Sequence, residues 1–259
     1  PRLSPAGLIA RHGIKNLTVP RLSRWPELME AVDATGADLL ITCATSMIVP
    51  DILLAQFGPL AVNLHPALLP DYRGPSPYLP MLLDGRGDRN GGSTLHVLSS
   101  GIDEGDIIAQ EAVPYTQSGG RFPDWYAALI GASYRLMRDA LPRYLAGELV
   151  AQPQSAGSYT KLRLPHVLDP ALGAAQVGQV LERGGSTLQI AVVVPGRRRE
   201  VRVTRVLRSR PRSGEPARLR ALSVEMDFAD ARLTLHRATG LERRLTQWQL
   251  ARALKPLQL

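Results

Sequence analysis

The apolar run Leu60-Ala61-Val62-Asn63-Leu64-His65 leads into a segment carrying Pro66, Pro70, Pro75 and Pro77. Proline fixes φ and offers no N–H, so the segment can neither extend a central strand nor open at once into a helix. The run must therefore end in an irregular loop. Side chains alternate along a strand, which puts Asn63 and His65 on one face and turns Leu64 away. Upstream, Asp38–Cys43 is a second apolar run, apolar enough for a strand buried on both faces. Between the two, Pro50-Asp51-Ile52-Leu53-Leu54 starts a helix and Gly58-Pro59 ends it. This β-α-β rhythm argues for a parallel sheet with helices packed on it.

The rest of the chain reads by the same signals. Ser4–Gly13 is a short helix with Ser4 as its cap, Ile14–Val19 an extended piece, and Pro26–Val32 a second helix. Ser93–Leu98 and Ile107–Val113 are strands, joined by the loop Gly101–Asp106. Asp124 caps a long helix to Leu145, with Leu129, Leu136, Ala140 and Tyr144 as its buried stripe. The stretch 151–170 holds Pro153, Gly157, Pro165 and Pro170 and reads as an interdomain crossing. Beyond it come a helix at Ala174–Arg183 and short strand-like runs at Thr187–Val194, Val201–Leu207, Arg218–Val224 and Ala231–His236. Several short strands with turn signals between them suggest a small β-barrel. Gln247–Leu254 reads as a closing helix.

Charge divides the chain as the pattern does. Residues 1–154 hold 12 Lys+Arg against 15 Asp+Glu, and residues 155–259 hold 19 against 8. Two readings of the basic half stay open: contact with a polyanion, or a solvated charged surface. Arg197-Arg198-Arg199, with Arg202, Arg205, Arg208, Arg210 and Arg212, would suit phosphates, but few aromatics interleave for base stacking. The single cysteine, Cys43, cannot form an internal disulfide, which fits a reducing cytoplasm. It reads as a small buried hydrophobe before a catalytic thiol. No apolar run approaches the ~18 residues of a membrane span, and Pro1–Pro5 has no signal-peptide core.

Three polar groups stand out, namely Asn63, His65 and Asp103. Sites in open α/β sheets gather at the carboxyl ends of strands, where all three fall. An Asn NH2 donates to a developing oxyanion, a His moves protons near neutral pH, and a carboxylate orients the His and stabilises its imidazolium. No Ser or Cys joins them, so direct acyl-type transfer to an attacking acceptor is the natural chemistry. Spacing alone leaves a structural Asn-X-His pair as the commoner reading. His96 shares a face with Thr94 and reads as structural before substrate-contacting. His12, His166 and His236 read as isolated surface residues. His65 with Asp103, Glu104 and Asp106 fits no standard zinc or calcium spacing, so no metal is expected.

The run Asn63-Leu64-His65-Pro66-Ala67-Leu68-Leu69-Pro70-Asp71-Tyr72-Arg73-Gly74, followed by Gly101-Ile102-Asp103-Glu104-Gly105-Asp106-Ile107-Ile108, resembles the formyltransferases that use 10-formyltetrahydrofolate. The resemblance implies a Rossmann-like, mostly parallel α/β sheet in residues 1–150, lacking the family's first strand. A linker at 151–170 and a basic, small OB-like β-barrel at 171–259 would follow. It implies catalytic roles for Asn63, His65 and Asp103. It also implies a slot for the folate donor built from Ser46, Met47, Ile48 and Val49 on one side and Ser100, Gly101 and Ile102 on the other. The implied acceptor is the amino or hydroxylamino group of a small metabolite. Arg73-Gly74-Pro75-Ser76-Pro77 and Asp71 differ from the usual methionyl-tRNA formyltransferase loop, and Thr94-Leu95-His96 looks more like metabolite enzymes. The alternatives are methionyl-tRNA as acceptor, with tRNA contacting the basic C-terminal part, or a nucleic-acid-binding protein with an inactive catalytic domain.

Overall fold

In the computed structural model the two apolar runs become neighbouring parallel strands. The structure describes residues 5–15, 22–45, 47–160, 164–187, 189–197, 200–240, 242 and 244–245. The chain passes through α1 (Pro5–Arg11), α2 (Leu28–Asp33), β1 (Leu40–Cys43), α3 (Asp51–Phe57), β2 (Ala61–His65), α4 (Tyr78–Leu83), α5 (Gly87–Asn90), β3 (Gly92–Val97) and β4 (Ile107–Ala112). The long α6 (Phe122–Arg135) continues through a π-helical turn, Leu136–Ala140, into α7 (Leu141–Leu145). Then come β5 (His166–Val167), α8 (Ala174–Gly184), β6 (Ile190–Val192), β7 (Val201–Arg210), β8 (Arg218–Leu219), β9 (Ser223–Asp227) and β10 (Arg232–Arg237).

Local chemistry sets the boundaries near the future site. Pro50 holds extended backbone ahead of α3, Asp51 sits in the first turn where the helix dipole favours an acid, and Gly58 at φ +51° ends the helix. β2 is buried along its whole length because it has a strand on either side. Val62 and Leu64 pack with Leu95, Leu136, Ala140 and Leu141. Ala61 packs the other way, with Leu28, Leu53 and Phe57. Alternation then gives Asn63 and His65 the same face as Ala61.

The first sheet differs from expectation in two respects. β1 and β2 are parallel, but β3 is antiparallel to β2 and β4 to β3, so the sheet is mixed rather than mostly parallel. Periodicity does not record strand direction, and the two short helices between β2 and β3 suit either sense. Among the described residues β1 also lies at the sheet edge, alternating between half-buried and exposed positions. An edge strand covered on one face leaves Cys43 exposed rather than in the core. Ile14 and Lys15 form no strand. Residues 16–19, Ser4 and Gln247–Leu254 lie outside the described residues.

The C-terminal strands form a second sheet in the order β5-β6-β7-β10-β9-β8, antiparallel except for the β5–β6 pair. Among the described residues this is a curled open sheet and not a closed barrel, and its two outer strands have only two residues each. α8 covers it through Val177, Leu181 and Gly184. Leu79, from α4 of the first half, is fully buried in the same core with Leu181, Ile190 and Val203. α8 comes so near that a Cβ on Gly184 would lie 2.6 Å from Leu79 Cδ1. Arg183 Nη1 seals the contact by donating to the Leu83 carbonyl at 2.6 Å. Leu79→Ala is therefore expected to destabilise the protein by about 2–5 kcal/mol, through lost burial and the cavity left behind. Urea unfolding would show this as a lower midpoint at an unchanged m-value. A cost under about 1 kcal/mol would mean that the second core closes without Leu79.

Candidate active site

Strand register decides which polar side chains meet. β2 against β3 sets Asn63 opposite His96 and His65 opposite Thr94. β1 adds Thr42 beside Asn63, and β4 adds Gln110 beside Thr94. One face of the sheet thus carries two cross-strand rows, Thr42–Asn63–His96 and His65–Thr94–Gln110, with neighbours at contact distance. The second row anchors the Pro-rich loop. Thr94 Oγ1 donates to the Ala67 carbonyl at 2.6 Å and accepts from the Leu69 N–H at 3.1 Å. Gln110 Nε2 donates to the Leu69 carbonyl at 2.8 Å. The loop is thereby steered back over His65.

Asp103 enters from the β3–β4 loop and ties the first row to that returning turn. Its Oδ1 accepts from Asn63 Nδ2 at 3.2 Å, and its Oδ2 accepts from the Gly74 backbone N–H at 2.8 Å. His65 Nδ1 lies 3.3 Å from Oδ2, and His96 Nε2 lies 3.6 Å from Oδ1. Asn63, His65 and Asp103 thus converge, with His96 among them. Thr42 donates its hydroxyl to Asn63 Oδ1 at 2.7 Å, which fixes the amide's orientation. Asn63 Nδ2 also donates to His96 Nε2 at 3.0 Å. His96 Nδ1 donates to the Val97 carbonyl at 2.8 Å, so Nε2 is the acceptor nitrogen. By the same reasoning His65 Nε2 donates to the Tyr72 carbonyl at 2.9 Å and leaves Nδ1 facing the carboxylate. Sequence reasoning missed Thr42 and undervalued His96, because only the register reveals either.

Two opposed effects set the charges. Burial pushes the His65 imidazole down, and this outweighs Asp103 and the Tyr72 carbonyl, which raise it. His65 is therefore neutral at neutral pH. Burial pushes the Asp103 carboxyl up, but His96, His65 and the Gly74 N–H together hold it below its ordinary value, so it stays ionised. The result is a proton acceptor with its counter-charge already in place. Burial pushes the Cys43 thiol up, which keeps it protonated and a poor nucleophile.

The residues expected to line a flat-ring slot lie beside this cluster in the chain. Met47 is 38% exposed, Ile48 71% and Ile102 41%. Val49 packs partly against the Leu28–Leu53 cluster, Ser100 is exposed and Gly101 half-buried. Ser46 lies outside the described residues. Met47 and Ile48 follow the strand that places Thr42, and Ile102 precedes Asp103, so three large apolar side chains stay uncovered on segments adjoining the polar cluster. A cavity of about 710 Å³ opens behind the turn, lined by Tyr72, Asp84, Arg86, Arg89 and Ser158 among others. None of Asn63, His65 and Asp103 borders it, so the converging side chains mark the site better than cavity size does. The other histidines also need correction. His166 is half-buried, and His236 Nδ1 lies 3.0 Å from the Thr204 hydroxyl and 3.5 Å from Glu242.

Parts of this chain resemble known proteins in sequence and in fold. Residues 6–120 match the formyl transferase family model. A methionyl-tRNA formyltransferase of Listeria monocytogenes is 36% identical over 147 residues, which are 56% of this chain and 45% of that protein. One from Limosilactobacillus fermentum is 35% identical over 150 residues, 57% of this chain and 45% of the relative. The chain thus spans about half the length of the curated relatives it matches. Among solved structures, HypX of Aquifex aeolicus shares the fold at a TM-score of 0.59 and 21% identity, over 85% of this chain and 38% of that one. An N-formyltransferase of Helicobacter canadensis, solved with folinic acid and dTDP-3-aminofucose, does so at 0.56 and 14% identity, over 91% and 83%. Residues 6–120 are thus similar in sequence to the formyl transferase family, and the relatives that share this similarity are methionyl-tRNA formyltransferases.

Proposed function

We propose that the chain moves the formyl group of 10-formyltetrahydrofolate to an amine. The observation that carries this reading is the convergence of Asn63, His65 and Asp103 on one sheet face. The acceptor nitrogen bonds to the formyl carbon, the bond from that carbon to the folate nitrogen breaks, and a proton passes from the amine to the folate nitrogen. Asn63 donates an N–H to the charge that grows on the formyl oxygen. Neutral His65 takes the proton at Nδ1, Asp103 stabilises the imidazolium, and the proton is then given to the leaving nitrogen. Met47, Ile48 and Ile102 supply apolar walls for the pterin, with Ser46, Val49, Ser100 and Gly101 alongside. On this reading residues 1–150 are the catalytic unit, 151–170 the connection and 171–259 a basic unit whose curled sheet is part of a small barrel.

The acceptor we favour is a metabolite amine. Asp71, where methionyl-tRNA enzymes usually carry Arg, accepts from Asn90 Nδ2 at 3.2 Å and from the Ser158 N–H at 3.2 Å. An Arg there could accept neither bond. Methionyl-tRNA is the second reading, supported by the relatives above and by Arg205 and Arg208, which are exposed on β7. Other basic residues there are internally paired, Arg210 and Arg220 with Glu225 and Arg232 with Asp227.

Incubation with 10-formyltetrahydrofolate and a panel of amines should give one acceptor that gains the mass of a formyl group. His65→Ala should lower that rate by at least about 100-fold with an unchanged circular dichroism spectrum. A variant near the wild-type rate would overturn the assignment. The pH profile follows from the charges. His65 must be neutral to accept a proton and its midpoint is lowered, so the rate should rise with pH to a plateau, half-maximal below about 6.5. A midpoint above that value would contradict His65 as the base. The acceptor readings separate by salt. Binding of tRNA that weakens steeply with ionic strength would favour methionyl-tRNA. Its absence at low salt would leave the metabolite.

A further inference from the structure

The stretch after Val150 has the Pro and Gly spacing of a linker, yet residues 152–160 are fastened across the site. Gln152 exchanges both backbone hydrogen bonds with Ile107 at 2.8 Å. Ser158 accepts from the Tyr72 N–H at its Oγ (3.0 Å) and from the Arg73 N–H at its carbonyl (3.0 Å). The Thr160 N–H donates to the Arg73 carbonyl at 2.8 Å. Gly157 lies so close to the turn that a Cβ there would be 1.9 Å from the Pro70 carbonyl oxygen. At the centre of this strap is Gln154. Its Nε2 donates to the Asp103 carbonyl at 3.0 Å and to the Gly105 carbonyl at 2.6 Å. Its Oε1 accepts from Arg73 Nε at 3.3 Å and Nη2 at 2.9 Å. Both amide hydrogens and the amide oxygen are used, and the reverse orientation would set oxygen against two carbonyls.

We infer that Gln154 is a positioning residue. Its carboxamide clamps the loop carrying Asp103 to the turn carrying Arg73 and Gly74, and so sets where the Asp103 carboxylate meets His65 and Asn63. It touches none of the reacting groups itself. Asp103 adopts φ +54° and Tyr72 φ +59°, backbone that L side chains rarely take. Without a clamp the loop has every reason to relax. The role rests on the formyl-transfer reading, but the geometry it describes can be tested without that chemistry.

The test uses Gln154→Met, which keeps the bulk and loses all four hydrogen bonds. Gln154→Glu is its companion, keeping the Arg73 contact while setting carboxylate against the two carbonyls. Imidazole resonances of the five histidines are followed by NMR against pH. His65 faces Asp103, His96 and the Tyr72 carbonyl, and Asp103 faces both imidazoles, Asn63 and the Gly74 N–H. A displaced Asp103 removes the one anion that raises the His65 midpoint. In both variants that midpoint should fall, while His166 titrates as in the wild type. Formyl transfer should drop about 10- to 100-fold, more than the KM for the donor changes. An unchanged His65 midpoint in the folded variants overturns the inference. So does unfolding of both variants, which would make the strap a folding element only. A wild-type chain that forms no formyl product overturns the proposed function instead, and the His65 midpoint still decides whether Gln154 positions Asp103.

Discussion

The site depends on one carboxylate. Asp103 is 13% exposed, and a charge so placed is costly unless it is paired and hydrogen-bonded. Asn63 Nδ2 and the Gly74 N–H donate to it from two separate stretches of chain, and the two imidazoles close the space around it. The contest between burial and contacts ends differently at the two partners. For Asp103 the contacts win and the carboxylate stays charged, while for His65 burial wins and the imidazole stays neutral. A neutral base beside a fixed anion gains a proton readily when a cation begins to form near it, because the field that stabilises the imidazolium is present beforehand.

Such a carboxylate does not come from relaxed backbone. Asp103, Tyr72 and Ser76 all sit at positive φ in the segments around the cluster, at about 1–3 kcal/mol each. The strap from Gln152 to Thr160 supplies hydrogen bonds worth roughly 1 kcal/mol apiece against that strain. Arg73 also reaches Glu104 at 3.5 Å, but Glu104 is mostly exposed, and a surface pair of this kind contributes little. The half-buried amide of Gln154 and the backbone bonds matter more.

Much of the local structure was legible in sequence, and the reasons are local. Pro50, Gly58 and the alternation at 61–65 bound α3, placed β2 and put Asn63 and His65 on one face. Glycine-flanked Asp103 followed a strand, as sites in open sheets do. What escaped was non-local. His96 and Thr42 matter because of what they pair with across strands, and register is not written in either strand alone. The direction of β3 escaped for the same reason. The strap escaped because Pro153 and Gly157 signal an interruption, and an interruption reads as a linker until its partners are seen. β1 escaped because an apolar run looks alike at a sheet's centre and at its edge.

The network also constrains how a carbonyl can be received. Both N–H bonds of Asn63 are committed, one to His96 Nε2 and one to Asp103 Oδ1. An incoming formyl oxygen must take one of them. Taking the bond to Asp103 leaves the carboxylate with Gly74 and His65, and makes it more able to draw a proton onto His65. Taking the bond to His96 leaves a buried lone pair without a donor, at about 1–3 kcal/mol. The first exchange costs less and helps the proton transfer, so on the formyl-transfer reading the oxygen enters on the Asp103 side of Asn63. Thr42 keeps the amide from rotating away as it does so, which gives a strand-edge threonine a part in chemistry it never touches.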